Sequence, residues 1–199
     1  MTLTRKSWVA KSIAVGASLL LLAGCATNTD DNTGQADEDY GQTHTLVIAN
    51  SGPATTLDPA VGGNLATNLI IIGSIYSSLT RTNASGELIG DLATNWEATD
   101  ENTWRFTLRE DAQFSDGTPI NAEVIKANIA RVQSPDNSGW IKNSIARVTE
   151  VEVIDEFTVD FHTDGPDIQL PRRLAGIFYL EPTWAADNNP AIDALGSGP

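Results

Sequence analysis

The chain has 199 residues, 41% of them hydrophobic, enough for one packed domain or slightly more, and its composition excludes a disordered or collagen-like polymer. Its 26 acidic residues outnumber 12 basic ones, and three of the bases (Arg5, Lys6, Lys11) precede residue 12, so the body beyond is more acidic than the net charge of -14 implies. Such a surface repels phosphate backbones and argues against a nucleic-acid partner, and a single cysteine precludes an internal disulfide or a cysteine-based zinc cage.

The basic start is followed by a ten-residue apolar run, 13–22, too short to span a bilayer comfortably but suited to a secretory signal. It ends in Leu22-Ala23-Gly24-Cys25, which resembles the bacterial lipobox. That resemblance implies cleavage after residue 24 and attachment of a diacylglycerol to the Cys25 sulfur, with the acyl chains holding the protein on a membrane. Residues 26–43 contain five acids, no base and, apart from Tyr40, almost no large apolar side chain. They cannot bury enough surface to offset their ordering entropy and read as a flexible acidic tether.

The folded body reads as mixed α/β. Residues 44–50 alternate, with Leu46 and Ile48 on one face, as in a strand, and Ser51-Gly52-Pro53 breaks it. Leu65, Leu69, Ile72, Tyr76 and Leu79 fall on one helical stripe, with Asn64 or a neighbour as its cap. Asn83-Ala84-Ser85-Gly86 is a turn. Trp96 and Ala98 mark a short strand, which Asp100-Glu101-Asn102 turns into a second strand carrying Trp104, Phe106 and Leu108. Ser115-Asp116-Gly117-Thr118-Pro119 is a loop whose proline sets the entry angle of a helix. Asn121 caps that helix, Glu123 suits its dipole, Ile125, Ile129 and Val132 form its core stripe, and Ser134-Pro135 ends it. A strand from Val148, a turn at Asp155-Glu156 and a return strand over 158–163 follow. Residues 168–175 read as a short helix and 177–180 as a short strand. Arg109 is expected to pair with an acid such as Asp116, and Asp58 to act as a local cap or turn group rather than a ligand contact.

Several segments resemble the peptide/nickel-type extracytoplasmic solute-binding proteins of ABC transporters, solute-binding family 5. They are Leu57-Asp58-Pro59, Ile75-Tyr76-Ser77-Ser78-Leu79, Asp91-Leu92-Ala93-Thr94-Asn95-Trp96, Phe106-Thr107-Leu108-Arg109, Phe114-Ser115-Asp116-Gly117-Thr118-Pro119, Asn121-Ala122-Glu123-Val124 with Arg131, Val153-Ile154-Asp155-Glu156-Phe157-Thr158-Val159 and Gly196-Ser197-Gly198-Pro199. Gly90 stands where the family usually has proline. The resemblance implies a periplasmic-binding-protein type II-like α/β fold, of which this chain holds part. The signal would occupy 1–24, the tether 25–43, the first strand of a discontinuous lobe I 44–60, a small α/β subdomain 61–180, and a truncated return into lobe I 181–199. Family members are more than twice as long, so the chain reads as an N-terminal portion lacking the second lobe.

The same resemblance implies a monomeric receptor outside the cell membrane. It would bind a peptide or other small solute between its lobes and deliver it to a permease driven by separate ATPase subunits. Nickel, oligosaccharides or other solutes, or a surface lipoprotein without transport, are the alternatives. In the family the segment after the first strand lies along the cleft, making Asn50, Ser51 and Gly52 candidates for main-chain peptide contacts, against an ordinary surface turn. Trp140, in Ser138-Gly139-Trp140, stands near a cleft-facing aromatic of some peptide binders, against a plain surface or core tryptophan. No cofactor and no enzymatic activity are expected. The two histidines, His44 and His162, have no metal-ligand spacing, and the sequence holds no G-x-S-x-G, P-loop or G-x-G-x-x-G.

Overall fold

The structure, a computed structural model, describes residues 47, 49, 50, 52–62 and 66–197. Its contacts divide the chain into Met1–Val47 and Ile48–Pro199, and the architecture below belongs to the second unit. Cys25, the tether, His44, Ser51 and Asn64 lie outside the described residues. Of the strand expected over 44–50, the described Val47, Ala49 and Asn50 carry no strand, and the remainder is likewise outside.

Two short helices come first, α1 (Pro59–Gly62) and α2 (Ala66–Ile75), then a small hairpin of β1 (Thr80–Thr82) and β2 (Leu88–Gly90). Its turn is the one read from Asn83: the Asn83 side-chain oxygen accepts from the amides of Ser85 and Glu87, and Gly86 takes a φ of 82°. The main sheet has four antiparallel strands, β3 (Ala93–Asp100), β4 (Thr103–Leu108), β5 (Val148–Asp155) and β6 (Thr158–Thr163), in the order β3-β4-β6-β5. It is two hairpins joined through β4 and β6. The first strand, expected to be short around Trp96, is eight residues long because it follows β4 along its whole length.

Alternation sorts the two faces of the sheet. Phe106 and Val159 are register partners, as are Val151 and Phe161, and all four are buried. Phe106 and Phe161 meet edge to face at 5.3 Å between ring centroids. Trp96 and Trp104 pack against this core as partly buried aromatics, the structural role their alternation implies. The opposite face carries a polar row, Glu97-Arg105-Asp160-Glu152, running across all four strands. Arg105 clamps Asp160 with two hydrogen bonds of 2.8 and 2.7 Å.

Helix α3 (Ala122–Gln133) covers β5 and β6 with Ile125, Ile129 and Val132, the stripe read from the sequence. Asn121 caps it, accepting from the Val124 amide at 3.1 Å. Pro119 does not enter the helix. It sits in an isolated bridge with Gln113, and the direction of α3 is set by the Asn121 cap instead.

Three further elements differ from the sequence expectation. The stripe 65–79 is not one helix: α2 stops at Ile75, because Asp91 takes the Ser78 amide and the Leu79 carbonyl accepts from Asp91 and Ala93. Ile72, Tyr76 and Leu79 are nonetheless buried as expected, while Leu69 is exposed and Leu65 lies outside the described residues. Residues 177–180 form no strand. Only Phe178 makes a bridge, to Ser78, and the Leu180 backbone is held by the Asn128 side chain, which donates to its carbonyl at 2.8 Å and accepts from its amide at 3.1 Å. The helix expected over 168–175 splits into α4 (Leu170–Arg173), with Pro171 in its first turn, and a 3-10 turn, Leu174–Gly176. Another 3-10 helix, Trp140–Ile145, and α5 (Pro182–Asp187) have no counterpart in the sequence reading.

The last described residues fold back along the earlier ones. The Ala191 carbonyl accepts from Leu57 at 3.0 Å, the Gly196 carbonyl from Ser115 at 2.9 Å, and the Ser197 hydroxyl oxygen from the Ser77 amide at 3.3 Å. A side chain at Gly196 would stand 2.0 Å from the Ile75 carbonyl oxygen, so glycine there is a condition of this close approach.

Candidate functional site

The candidate residues sit at two places. Asn50 is exposed and donates its side-chain amide to the Thr67 carbonyl on α2 at 3.0 Å. Gly52 lies over the Thr67 methyl, where a Cβ would be in ordinary contact at 3.8 Å. The segment continues along α2: the buried Asn68 accepts from the Thr55 amide at 3.0 Å and donates to its hydroxyl at 3.1 Å. Trp140 begins its 3-10 helix and is 65% exposed, so it is not a core tryptophan. Trp140 lies on a different element, 88 residues beyond Gly52 in the chain.

Between the two lies α1. Asp58 caps it, accepting from the Ala60 amide at 2.9 Å, and holds Arg131 at the end of α3 through both carboxylate oxygens. Asp58 is therefore a cap, as expected, and also half of an ion pair spanning 73 residues. Asn137 then ties the loop after α3 to α1. Its side chain donates to the carbonyls of Ala60 at 3.0 Å and Val132 at 2.9 Å and accepts from the Gly139 amide at 2.7 Å. Lys142 closes the loop, donating to the Asn137 carbonyl at 2.7 Å. Ala60, Val61, Arg131, Ser134, Asp136 and Asn137 line a cavity of about 210 Å³. Its wall is mixed, two small apolar side chains facing one cation, one anion and two neutral polar groups.

Tyr76 belongs to the same neighbourhood. Burial, reinforced by the Asp58 carboxylate and opposed by Arg131, pushes its phenol up to about 12, so the ring stays neutral throughout the ordinary pH range. Its hydroxyl has no hydrogen-bond partner among the described residues, and neither has that of Tyr179, which burial raises further still.

Sequence reasoning missed the Asp58–Arg131 pair and the Asn137 bracket, because partners so far apart leave no periodic signal. Arg109 does pair with a nearby acid, but the acid is Asp111, at 2.7 and 3.0 Å, and not Asp116, because the turn at 110–111 directly after β4 brings the two groups together. His162 shares hydrogen bonds with Thr103 and Glu152 on the polar sheet face, half-buried as expected. Among the described residues no group of three or more His, Cys, Asp or Glu could hold a metal ion, and no helix is long and apolar enough to cross a membrane.

Residues 87–199 match the family described as Bacterial extracellular solute-binding proteins, family 5 Middle. The chain belongs to this family. DdpA of Escherichia coli K12, a probable D,D-dipeptide-binding periplasmic protein, is 32% identical over 173 residues, which cover 77% of this chain and 32% of DdpA. Among solved structures, AgaA of A. tumefaciens R10 in complex with agropinic acid superposes with a TM-score of 0.68 at 26% identity, over 74% of this chain and 31% of AgaA. OppA of Burkholderia pseudomallei gives a TM-score of 0.69 at 23% identity over 73% and 33%, a likeness of fold. The α/β fold is thus that of the periplasmic binding proteins. The family 5 chain spans about a third of the length of these three relatives.

Proposed function

We propose that this family 5 chain is part of a solute-binding receptor that takes up a small peptide outside the cell membrane and hands it to an ABC permease energised by ATPase subunits. The observation that carries the reading is the Trp140 side chain, 65% exposed on a family 5 scaffold, next to a loop bonded to α1 and close to a cavity with a charged wall. A rigid aromatic packs on a ligand side chain at small entropic cost, and main-chain contacts at Asn50 and Gly52 would suit any peptide sequence. The similarity to DdpA supports a peptide as the ligand class.

In this reading the work is binding and delivery rather than catalysis, the receptor acts as a monomer, and it is held at the membrane by acyl chains on Cys25. Calorimetry with a peptide mixture tests the ligand class. Heat with peptides and none with sugars or nickel chelates is the expected result, and the converse would overturn it. The anchor is tested by Cys25→Ser, which is expected to lose labelling by radioactive palmitate and to leave the membrane fraction; retention there would contradict it.

A second reading keeps the scaffold and changes the solute. The likeness to AgaA holding agropinic acid favours it, and an opine-type acid belongs in the same calorimetric series.

A further inference from the structure

Trp140 is more tightly placed than an exposed side chain needs to be. The residue before it, Gly139, lies so close to α1 that a Cβ would stand 2.4 Å from the Ala60 carbonyl oxygen and 2.9 Å from the Val61 Cα. No side chain fits there without moving the backbone. Asn137 spends its amide hydrogens on the carbonyls of Ala60 and Val132 and its oxygen on the Gly139 amide, so one buried side chain joins α1, the end of α3 and the residue that precedes Trp140. The other end of α1 is held to α3 by Asp58 and Arg131. Two independent ties therefore clamp α1 against α3, and the indole projects from the clamp. Val61, 39% exposed, gives the surface beside Gly139 an apolar character.

We propose that Asn137 and the Asp58–Arg131 pair are positioning residues for ligand capture. They fix the rise of the loop 134–140 so that Trp140 is presented in its binding orientation before the solute arrives. This deepens the proposed function and rests on it for the identity of the ligand. The physical gain is preorganisation: an aromatic already held in place loses little freedom on binding, whereas a swinging one must be ordered at the cost of affinity. None of the three side chains needs to touch the solute.

The test uses the full chain labelled with 5-fluorotryptophan at its five tryptophans, of which Trp96, Trp104, Trp140 and Trp184 serve as reporters, the Trp140 fluorine resonance being assigned with Trp140→Phe. Two variants act on the clamp through different atoms. Asn137→Ala removes its hydrogen bonds, and Gly139→Ala inserts a methyl where Ala60 and Val61 stand. In both, the Trp140 resonance is expected to narrow and move toward that of free fluorotryptophan, while those of Trp96, Trp104 and Trp184 stay in place and report an intact fold. The affinity for D-alanyl-D-alanine, the probe, is expected to fall at least five-fold. An unmoved Trp140 resonance in both variants overturns the proposal, as does a moved resonance with unchanged affinity. If the resonance moves but the wild-type chain binds no dipeptide, the clamp stands and the peptide reading falls. Should either variant lose all four reporter positions at once, Arg131→Lys supplies the same comparison, because it keeps the charge but loses the two-pronged contact with Asp58.

Discussion

Tyr76 shows how much one hydroxyl can report. Its ring is 2% exposed, its phenol is pushed up to about 12, and an unfolded tyrosine titrates near 10. The folded state thus favours the neutral form. Its contribution is fully present below pH 10 and is lost as pH rises from there through 12. Two pH units correspond to about 3 kcal/mol, so urea midpoints should be flat from pH 8 to 9.5 and fall above it, with Tyr76→Phe abolishing this part of the fall. Asp58 and Arg131 carry a second expectation. Removing the guanidinium leaves a buried carboxylate with only the Ala60 amide and its neighbours for company. Because Arg131 is 31% exposed, Arg131→Met should cost about 2 kcal/mol, less than a fully buried pair, as read by denaturant unfolding. Gly117, at a φ of 90° with open space around it, isolates backbone strain from packing, and Gly117→Ala should cost about 1 kcal/mol. Of these residues the sequence made Gly117 legible as a turn glycine and Asp58 as a cap. The partnership of Asp58 with Arg131 was illegible, because nothing local encodes it.

At the scale of elements, legibility followed periodicity. The two sheet hairpins and α3 were readable because Trp104, Phe106, Leu108 and the stripe of Ile125, Ile129 and Val132 repeat at the strand and helix periods and are bounded by turn and cap residues. Helix α2, ATNLIIIGSI, spreads its apolar residues round its circumference, so the stripe read over 65–79 did not mark its end, which comes from tertiary hydrogen bonds that sequence does not display. The failure at 177–180 has the same origin. A short apolar run fits a buried strand or any other buried segment, and here Asn128 stands in for the neighbouring strand. Asn128→Ala should therefore be among the most damaging single changes in α3. It strands the Leu180 amide and carbonyl inside the core and should cost about 3 kcal/mol. Hydrogen exchange at the Leu180 amide, fast in the variant and slow in the wild type, would locate the damage.

For the molecule as a whole, motif order carried the family and the α/β class, and residues 87–199 with their fold bear both out. The candidate site was less legible. Trp140 could be named, but that it stands exposed on a loop clamped by α1 follows from Asn137 and Gly139, whose roles exist only once α1 and α3 are packed together. On the proposed function, the surface around α1 and Trp140 takes a peptide. Photo-crosslinking addresses it most directly, with a dipeptide carrying a diazirine side chain and with the labelled positions read by mass spectrometry. Labelling is expected to be confined to residues 49–62 and 134–142, suppressed by excess unlabelled dipeptide and weakened by Trp140→Ala, whose melting temperature should stay within about a degree or two of the wild type. Labelling scattered over the sheet, or labelling that a sugar suppresses as well as a peptide does, would contradict it.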